Sequence, residues 1–237
     1  MTDPVTTIGF DADDTLWHNE RFFVLTQGMF ADLLRDHTDP DTLMDRLLEA
    51  ERRNIPHYGF GIKGFTLSMI ETAIDVTEGR VPASVIAEIM AAGRDMLAHP
   101  IELLPHAQET LERLQDRYRL VMITKGDLLD QERKLAESGL RGMFTAIEIV
   151  SDKNPQVYAR IFDEHGRGAA RSLMVGNSMK SDVVPMIDAG GWGVHVPHGV
   201  TWALEHAPPP HHSDRFKQIT ELTELEGILD QINSKFL

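Results

Sequence analysis

Four groups of polar residues in this 237-residue sequence each follow a short apolar run. Asp11, Asp13, Asp14 and Thr15 follow VTTIGF, and Thr124, Lys125 and Gly126 follow LVMI. Ser151, Asp152 and Lys153 follow AIEIV, while Asn177, Ser178, Lys180 and Asp182 follow SLMVG. Together they supply carboxylates, hydroxyls, ammonium groups and an amide. That inventory suits phosphoryl transfer, which needs an in-line nucleophile, a cation for the equatorial oxygens and donors that hold the group. A carboxylate such as Asp11 can attack and form an acyl phosphate. A second carboxylate two residues on, Asp13, can protonate the leaving oxygen and then take a proton from water. Clustered acids also suit Mg²⁺, which prefers hard oxygen ligands and keeps some of its waters.

These groups act together only if the chain brings them to one edge. From Leu104 onward, apolar strand-like runs alternate with helix-like segments. Helices are predicted over 108–118, 128–138, 156–165, 181–189 and 222–232. Strands are predicted over 120–123, 146–150, 172–175 and 192–196, with a first strand over 5–10. Strict alternation implies a doubly wound parallel sheet with helices on both faces and right-handed crossovers. Ligands of such sheets bind beyond the carboxyl ends of the strands, where all four polar groups lie. Residues 17–99 differ: apolar positions recur at helical spacing, and Asp39-Pro40 and Val81-Pro82 read as helix starts. The expected organisation is a Rossmannoid three-layer α/β core from 1–16 and 100–237, with an inserted all-helical domain over 17–99.

Composition narrows the class. Lys and Arg number 23 against 37 Asp and Glu, a net charge of −14, with 42% hydrophobic and 25% charged residues. These are ordinary globular proportions. The acidity argues against nucleic-acid and anionic-membrane partners, so an anionic ligand must be drawn in by a local pocket or a bound cation. There are no cysteines, which excludes thiolate catalysis and Cys-ligated metal. The amino-terminal residues carry no basic segment ahead of an apolar run, and no apolar stretch reaches the roughly 18 residues of a membrane span. A cytoplasmic location is expected.

The string DADDT after an apolar strand resembles the first motif, DxDxT, of the haloacid dehalogenase (HAD) superfamily. Thr124-Lys125-Gly126 resembles the second motif, Lys153 near Pro155 the third, and GNSMKSD at 176–182 the fourth, usually written GDxxxxD. All four stand in the expected order, and the helical block between the first two occupies the insertion point of that superfamily's helical (C1-type) cap. The resemblance implies Asp11 as nucleophile with its other oxygen on Mg²⁺. It implies Asp13 as general acid/base, its backbone carbonyl also on the metal. Thr15 would brace the loop and, with Thr124 and Lys125, face the phosphate of the substrate. Lys153 would neutralise the nucleophile, and Asp182 would bind the metal. Asn177 replaces the usual first acid of the fourth motif, so its amide oxygen would ligate Mg²⁺ or orient a ligand water. Asp14 stands where glycine is usual, and Asn154 separates Lys153 from Pro155.

An acid at position 13 distinguishes phosphate-ester chemistry from dehalogenation within that superfamily. The implied activity is a Mg²⁺-dependent phosphatase acting on a small phosphomonoester. Sugar phosphate, nucleotide and phosphoglycolate all satisfy it, and the cap would close over the bound substrate. A phosphomutase of the same superfamily is the nearest alternative. A receiver-like signalling module, or a catalytically silent phosphoryl-binding homologue, belongs to a different class. The long insertion argues against the receiver, whose acceptor Asp also lies on a later strand.

Other motifs read as structural. GFGIKG at 59–64 matches GxGxxG but lacks a preceding strand, so it is expected as a loop between helices, from which His57, Tyr58 or Lys63 could touch substrate. DADDT is no calcium loop, since Leu16 and Phe22 occupy the positions that need Gly and Glu. His195, His198, His206, His211 and His212 fit no zinc spacing and are expected in a solvated loop.

Overall fold

Thr7–Phe10, an apolar segment buried at every residue, forms β1 inside a six-stranded sheet. The protein is seen here in a computed structural model that describes residues 4–234. The strands are β2 (Arg119–Lys125), β3 (Ala146–Val150), β4 (Ser172–Gly176), β5 (Trp192–His195) and β6 (Phe216–Gln218). Their order is β3-β2-β1-β4-β5-β6, and every neighbouring pair is parallel. β1 lies between β2 and β4, with Phe10 opposite Met122 on one side and Val175 on the other.

Two units make up the chain: Met1–Glu20, Ile101–Lys125 and Gln131–Leu237 in the first, Arg21–Pro100 and Gly126–Asp130 in the second. In the first, side chains alternate across the sheet as the two-residue strand period requires. Leu120, Met122, Leu173 and Val175 join one apolar cluster, to which α5 (Ala107–Leu114) adds Leu111 and α9 (Leu225–Asn233) adds Leu229. Val121, Ile123 and Met174 join another on the opposite face, beneath Phe162 of α7 (Pro155–His165) and Met186 of α8 (Val184–Asp188). The result is a three-layer α/β unit.

Gly9 makes the tight central packing possible. A Cβ there would lie 2.8 Å from Met174 Sδ and 2.9 Å from the Phe162 ring. Asn154 caps α7, accepting the Val157 N–H at 3.0 Å, and Pro155 starts the helix. Capping therefore accounts for the residue inserted between Lys153 and Pro155.

The second unit is helical: α1 (Glu20–Leu34), α2 (Pro40–Tyr58), α3 (Ile62–Val76) and α4 (Ala83–Leu97). Phe30, Leu43, Leu47, Phe65, Met69 and Ile89 are buried in its core. Asp39 caps α2 through the Thr42 N–H at 2.9 Å. GFGIKG is the turn between α2 and α3, with Gly59 and Gly61 at positive φ. Gly64 sits where a Cβ would meet the Gly59 carbonyl at 2.9 Å. No strand precedes the motif, and close approach of the chain accounts for its glycines.

Two elements differ from the sequence expectation. The helix anticipated over 181–189 is a π-helical turn, Met179–Val183, followed by α8. Ser178 caps the turn and Pro185 sits at the start of the following helix. β6 was not anticipated: three residues, FKQ, carry no readable period, and pairing with β5 makes them a strand.

Candidate active site

Asp11 is the first residue beyond β1, and its N–H donates to the Val175 carbonyl at 3.0 Å. Lys153 Nζ donates to Asp11 Oδ1 at 2.5 Å and to Asp182 Oδ1 at 2.7 Å. Thr15 Oγ lies 3.1 Å from Asp11 Oδ2 and 3.4 Å from Asn177 Oδ1, and accepts the Asn177 N–H at 3.1 Å. The first, third and fourth sequence groups therefore meet at one point. Two carboxylates share one ammonium, and all three residues are buried.

Burial of unequal charge has a cost that appears in the proton affinities. Burial, then the neighbouring Asp182 charge, pushes the Asp11 carboxyl up to about 7, against the pull of Lys153. Burial alone would lower the Lys153 ammonium, but Asp11 and Asp182 outweigh it and hold its pKa above the ordinary lysine value. The π turn places Asp182, whose Oδ2 accepts the Ser178 N–H at 2.9 Å. A Cβ on Gly176 would collide with the Asp182 carboxylate, so glycine is required beneath it.

Asp13 faces a different set of partners. Its Oδ1 accepts Trp17 Nε1 at 2.7 Å and Lys134 Nζ at 3.0 Å, and its Oδ2 accepts Gln131 Nε2 at 3.2 Å. Gln131 also donates to Thr124 Oγ at 2.6 Å, and Lys134 to Asn19 Oδ1 at 2.9 Å. Gln131 and Lys134 stand three apart on α6 (Leu128–Ser138), one face of one helix. The sequence reading missed them and Trp17. The available signal was that i, i+3 pair of polar residues on the helix directly after the second strand.

Lys125 is committed elsewhere. Its ammonium is ion-paired with Glu205 and donates to Ser181 Oγ at 2.8 Å. Glu205 also accepts Ser178 Oγ and Ser181 Oγ, each at 2.5 Å. Burial would raise the Glu205 carboxyl, but Lys125 and the serine hydroxyls outweigh it and leave its pKa below the ordinary value. The structure thus sets Lys125 in a neutralised pair, where the sequence reading had a phosphate-facing cation. Glu205 gave no warning, since it stands in a short 3-10 turn, Ala203–Glu205, outside every motif.

Asp14 is left-handed, with φ 59°. It accepts the Asn19 and Glu20 N–H groups at 2.9 and 2.8 Å, capping the entry to α1. Burial pushes its carboxyl up to about 6 against those two hydrogen bonds. Two of the five carboxy-terminal histidines leave the expected solvated loop. His195 ends β5, with Nε2 3.0 Å from the Asn177 carbonyl, and His198 Nε2 lies 3.3 Å from His18 Nδ1. His206, His211 and His212 are exposed. In the helical unit, Lys63 pairs with Asp127 at 2.9 Å, while His57 and Tyr58 are exposed.

The oxygens of Asp11, Asp182 and Asn177, with the Asp13 backbone carbonyl, are hard donors of the kind Mg²⁺ takes. The like charges of Asp11 and Asp182, half-neutralised by Lys153, are what a divalent cation relieves. The donor set fits Mg²⁺. Among the described residues, carboxylate and imidazole ligand atoms lie within 4.8 Å of one another at Asp14, His18 and His198, and at Glu148, Glu164 and His165.

Residues 5–190 match the family model described as haloacid dehalogenase-like hydrolase. A haloacid dehalogenase-like family hydrolase of Xanthomonas campestris is similar over 99% of this chain and 98% of its own, at 36% identity and a TM-score of 0.87. A predicted phosphoglycolate phosphatase of Haemophilus somnus aligns over 94% and 97%, at 17% identity and a TM-score of 0.65. A 2-haloacid dehalogenase of Pseudomonas syringae aligns over 96% and 99%, at 18% identity and a TM-score of 0.59. The last two share the fold. No curated protein matches.

Proposed function

The chain belongs to the haloacid dehalogenase-like hydrolases, and we propose that within them it is a Mg²⁺-dependent phosphatase that hydrolyses a small phosphomonoester through Asp11. Structural neighbours carry both phosphatase and dehalogenase descriptions, so the reading turns on the residues. The observation that carries it is a second carboxylate two residues after the nucleophile, held by three donors from Trp17, Gln131 and Lys134. Displacement of halide from carbon needs no proton for its leaving group. An alkoxide leaving from phosphorus does.

In this reading an Asp11 oxygen attacks phosphorus as the ester P–O bond breaks, and Asp13 passes its proton to the departing oxygen. Asp11 then carries an acyl phosphate. Asp13, now a carboxylate, takes a proton from water as that water attacks phosphorus, and the acyl P–O bond breaks to release inorganic phosphate and Asp11. Lys153 offsets the charge of Asp11 and of the phosphoryl oxygens, and Thr15 keeps the nucleophile oriented. Held by Asp11, Asp182, Asn177 and the Asp13 carbonyl, Mg²⁺ would supply charge neutralisation for the transferred group. Thr124 and the backbone after it are assigned to the phosphoryl oxygens.

Trapping the intermediate tests this. p-Nitrophenyl phosphate has a leaving group that needs little protonation, so the Asp13→Asn protein should still be phosphorylated but hydrolyse slowly. Mass spectrometry should find a phosphoryl group on Asp11, lost on treatment with hydroxylamine. Phosphate on any other residue, or an ester adduct formed instead from a 2-haloacid, would contradict the assignment.

A further inference from the structure

We propose that Asp14, His18 and His198 form a second metal site, distinct from the Mg²⁺ donors and selective for a borderline divalent cation of the zinc class. One carboxylate oxygen and one nitrogen from each imidazole all lie within 4.8 Å of one another. Two imidazoles and a carboxylate are the donor types of zinc-class ions, whereas Mg²⁺ avoids nitrogen.

The distance between the two rings points the same way. His198 Nε2 and His18 Nδ1 are 3.3 Å apart, beyond the usual range for a good hydrogen bond, which ends at about 3.2 Å. Two nitrogens on one tetrahedral ion, each about 2.0–2.1 Å from it, are separated by about 3.3 Å. The ring centroids are 5.1 Å apart with planes tilted 55°, so the rings meet through their nitrogens and are not stacked. One ring now offers the other a proton. A cation takes its place when that ring carries its proton on the opposite nitrogen instead, and no proton need be lost.

Asp14 is prepared for the role. Each carboxylate oxygen accepts one backbone N–H, from Asn19 and from Glu20, which fixes its orientation and leaves further lone pairs for a ligand. The other close group is unlike it: Glu148 is already paired with Arg160 at 2.9 Å and with His165 at 2.7 Å, so a resident cation already holds that place. At the proposed site Asp14 is buried while both histidines are half-exposed, which gives an ion a route in. Three separate positions would be tied together: the loop after β1, the approach to α1, and the loop after β5.

The test is titration of Zn²⁺, and separately Co²⁺, into the full chain with Mg²⁺ in excess, by calorimetry and by visible absorption. One equivalent should bind, with Co²⁺ giving the d–d bands of a four-coordinate nitrogen–oxygen site. His18→Gln and His198→Gln should each abolish that equivalent, while Glu148→Gln and Asp182→Asn leave it in place. Zn²⁺ should also raise the thermal midpoint of the parent protein and not of either histidine variant. Should one histidine variant fail to fold, the other still decides the question. Absence of binding, survival of the equivalent in a folded histidine variant, or its loss in Asp182→Asn would overturn the proposal.

Discussion

At the scale of single residues, the arrangement around Asp13 makes the sharper claim. Trp17, Gln131 and Lys134 hold the Asp13 carboxylate, whose proposed work is to give and then take one proton. Acid–base assistance of this kind is worth about 10²–10⁴-fold. Lys134 would act through Asp13 as a positioning residue, and misplacing a catalytic group by about 1 Å can cost about 10²-fold. The Lys134→Met protein should therefore lose up to about 100-fold in kcat with an alkyl phosphate and far less with p-nitrophenyl phosphate. Equal losses with both esters would leave Lys134 a purely structural role. Much of this site was legible beforehand: Asp11, Thr15, Lys153, Asn177 and Asp182 meet because each follows a strand of one parallel sheet. Lys134, Gln131 and Glu205 were not, because helix faces and long-range ion pairs leave no fixed spacing in a sequence.

At the scale of elements, the turn Ala203–Glu205 is fastened to the carboxyl edge of the sheet by a part-buried charge pair. Glu205 reaches Lys125 at the end of β2 and two serines of the π turn, Ser178 at its cap and Ser181 within it. Leaving the Lys125 charge without this carboxylate should cost about 1–3 kcal/mol. The sign with pH follows from the lowered Glu205 pKa. Its folded pKa lies below the ordinary 4.5, so the pair stabilises above that value and loses its contribution as pH falls through the folded value. Thermal melts of Glu205→Gln should show a deficit at pH 7 that shrinks below pH about 4.5. A deficit independent of pH would mean that shape, and not charge, is what Glu205 contributes. The alternating β and α elements were readable because burial on both faces writes continuous apolar runs into strands. The π turn and β6 escaped because local hydrogen bonds and edge pairing define them, not periodicity.

For the whole molecule, the sheet order decides how the chemistry is gathered. β1 lies inside the sheet with β2 and β4 beside it, so Asp11 stands next to the ends of both neighbours. With a net charge of −14, long-range attraction does not favour the proposed anionic substrate, so local cations would have to draw it in: Lys153 and the Mg²⁺ that the donors around Asp11 would hold. The measurement that tests this most directly is release of inorganic phosphate from a panel of phosphomonoesters, beside release of halide from 2-haloacids. Each would be run with Mg²⁺, with EDTA, and with the Asp11→Asn protein. Phosphate release that requires Mg²⁺ and vanishes in Asp11→Asn is the predicted result. Halide release without phosphate release, or phosphate release that survives Asp11→Asn, would contradict the account.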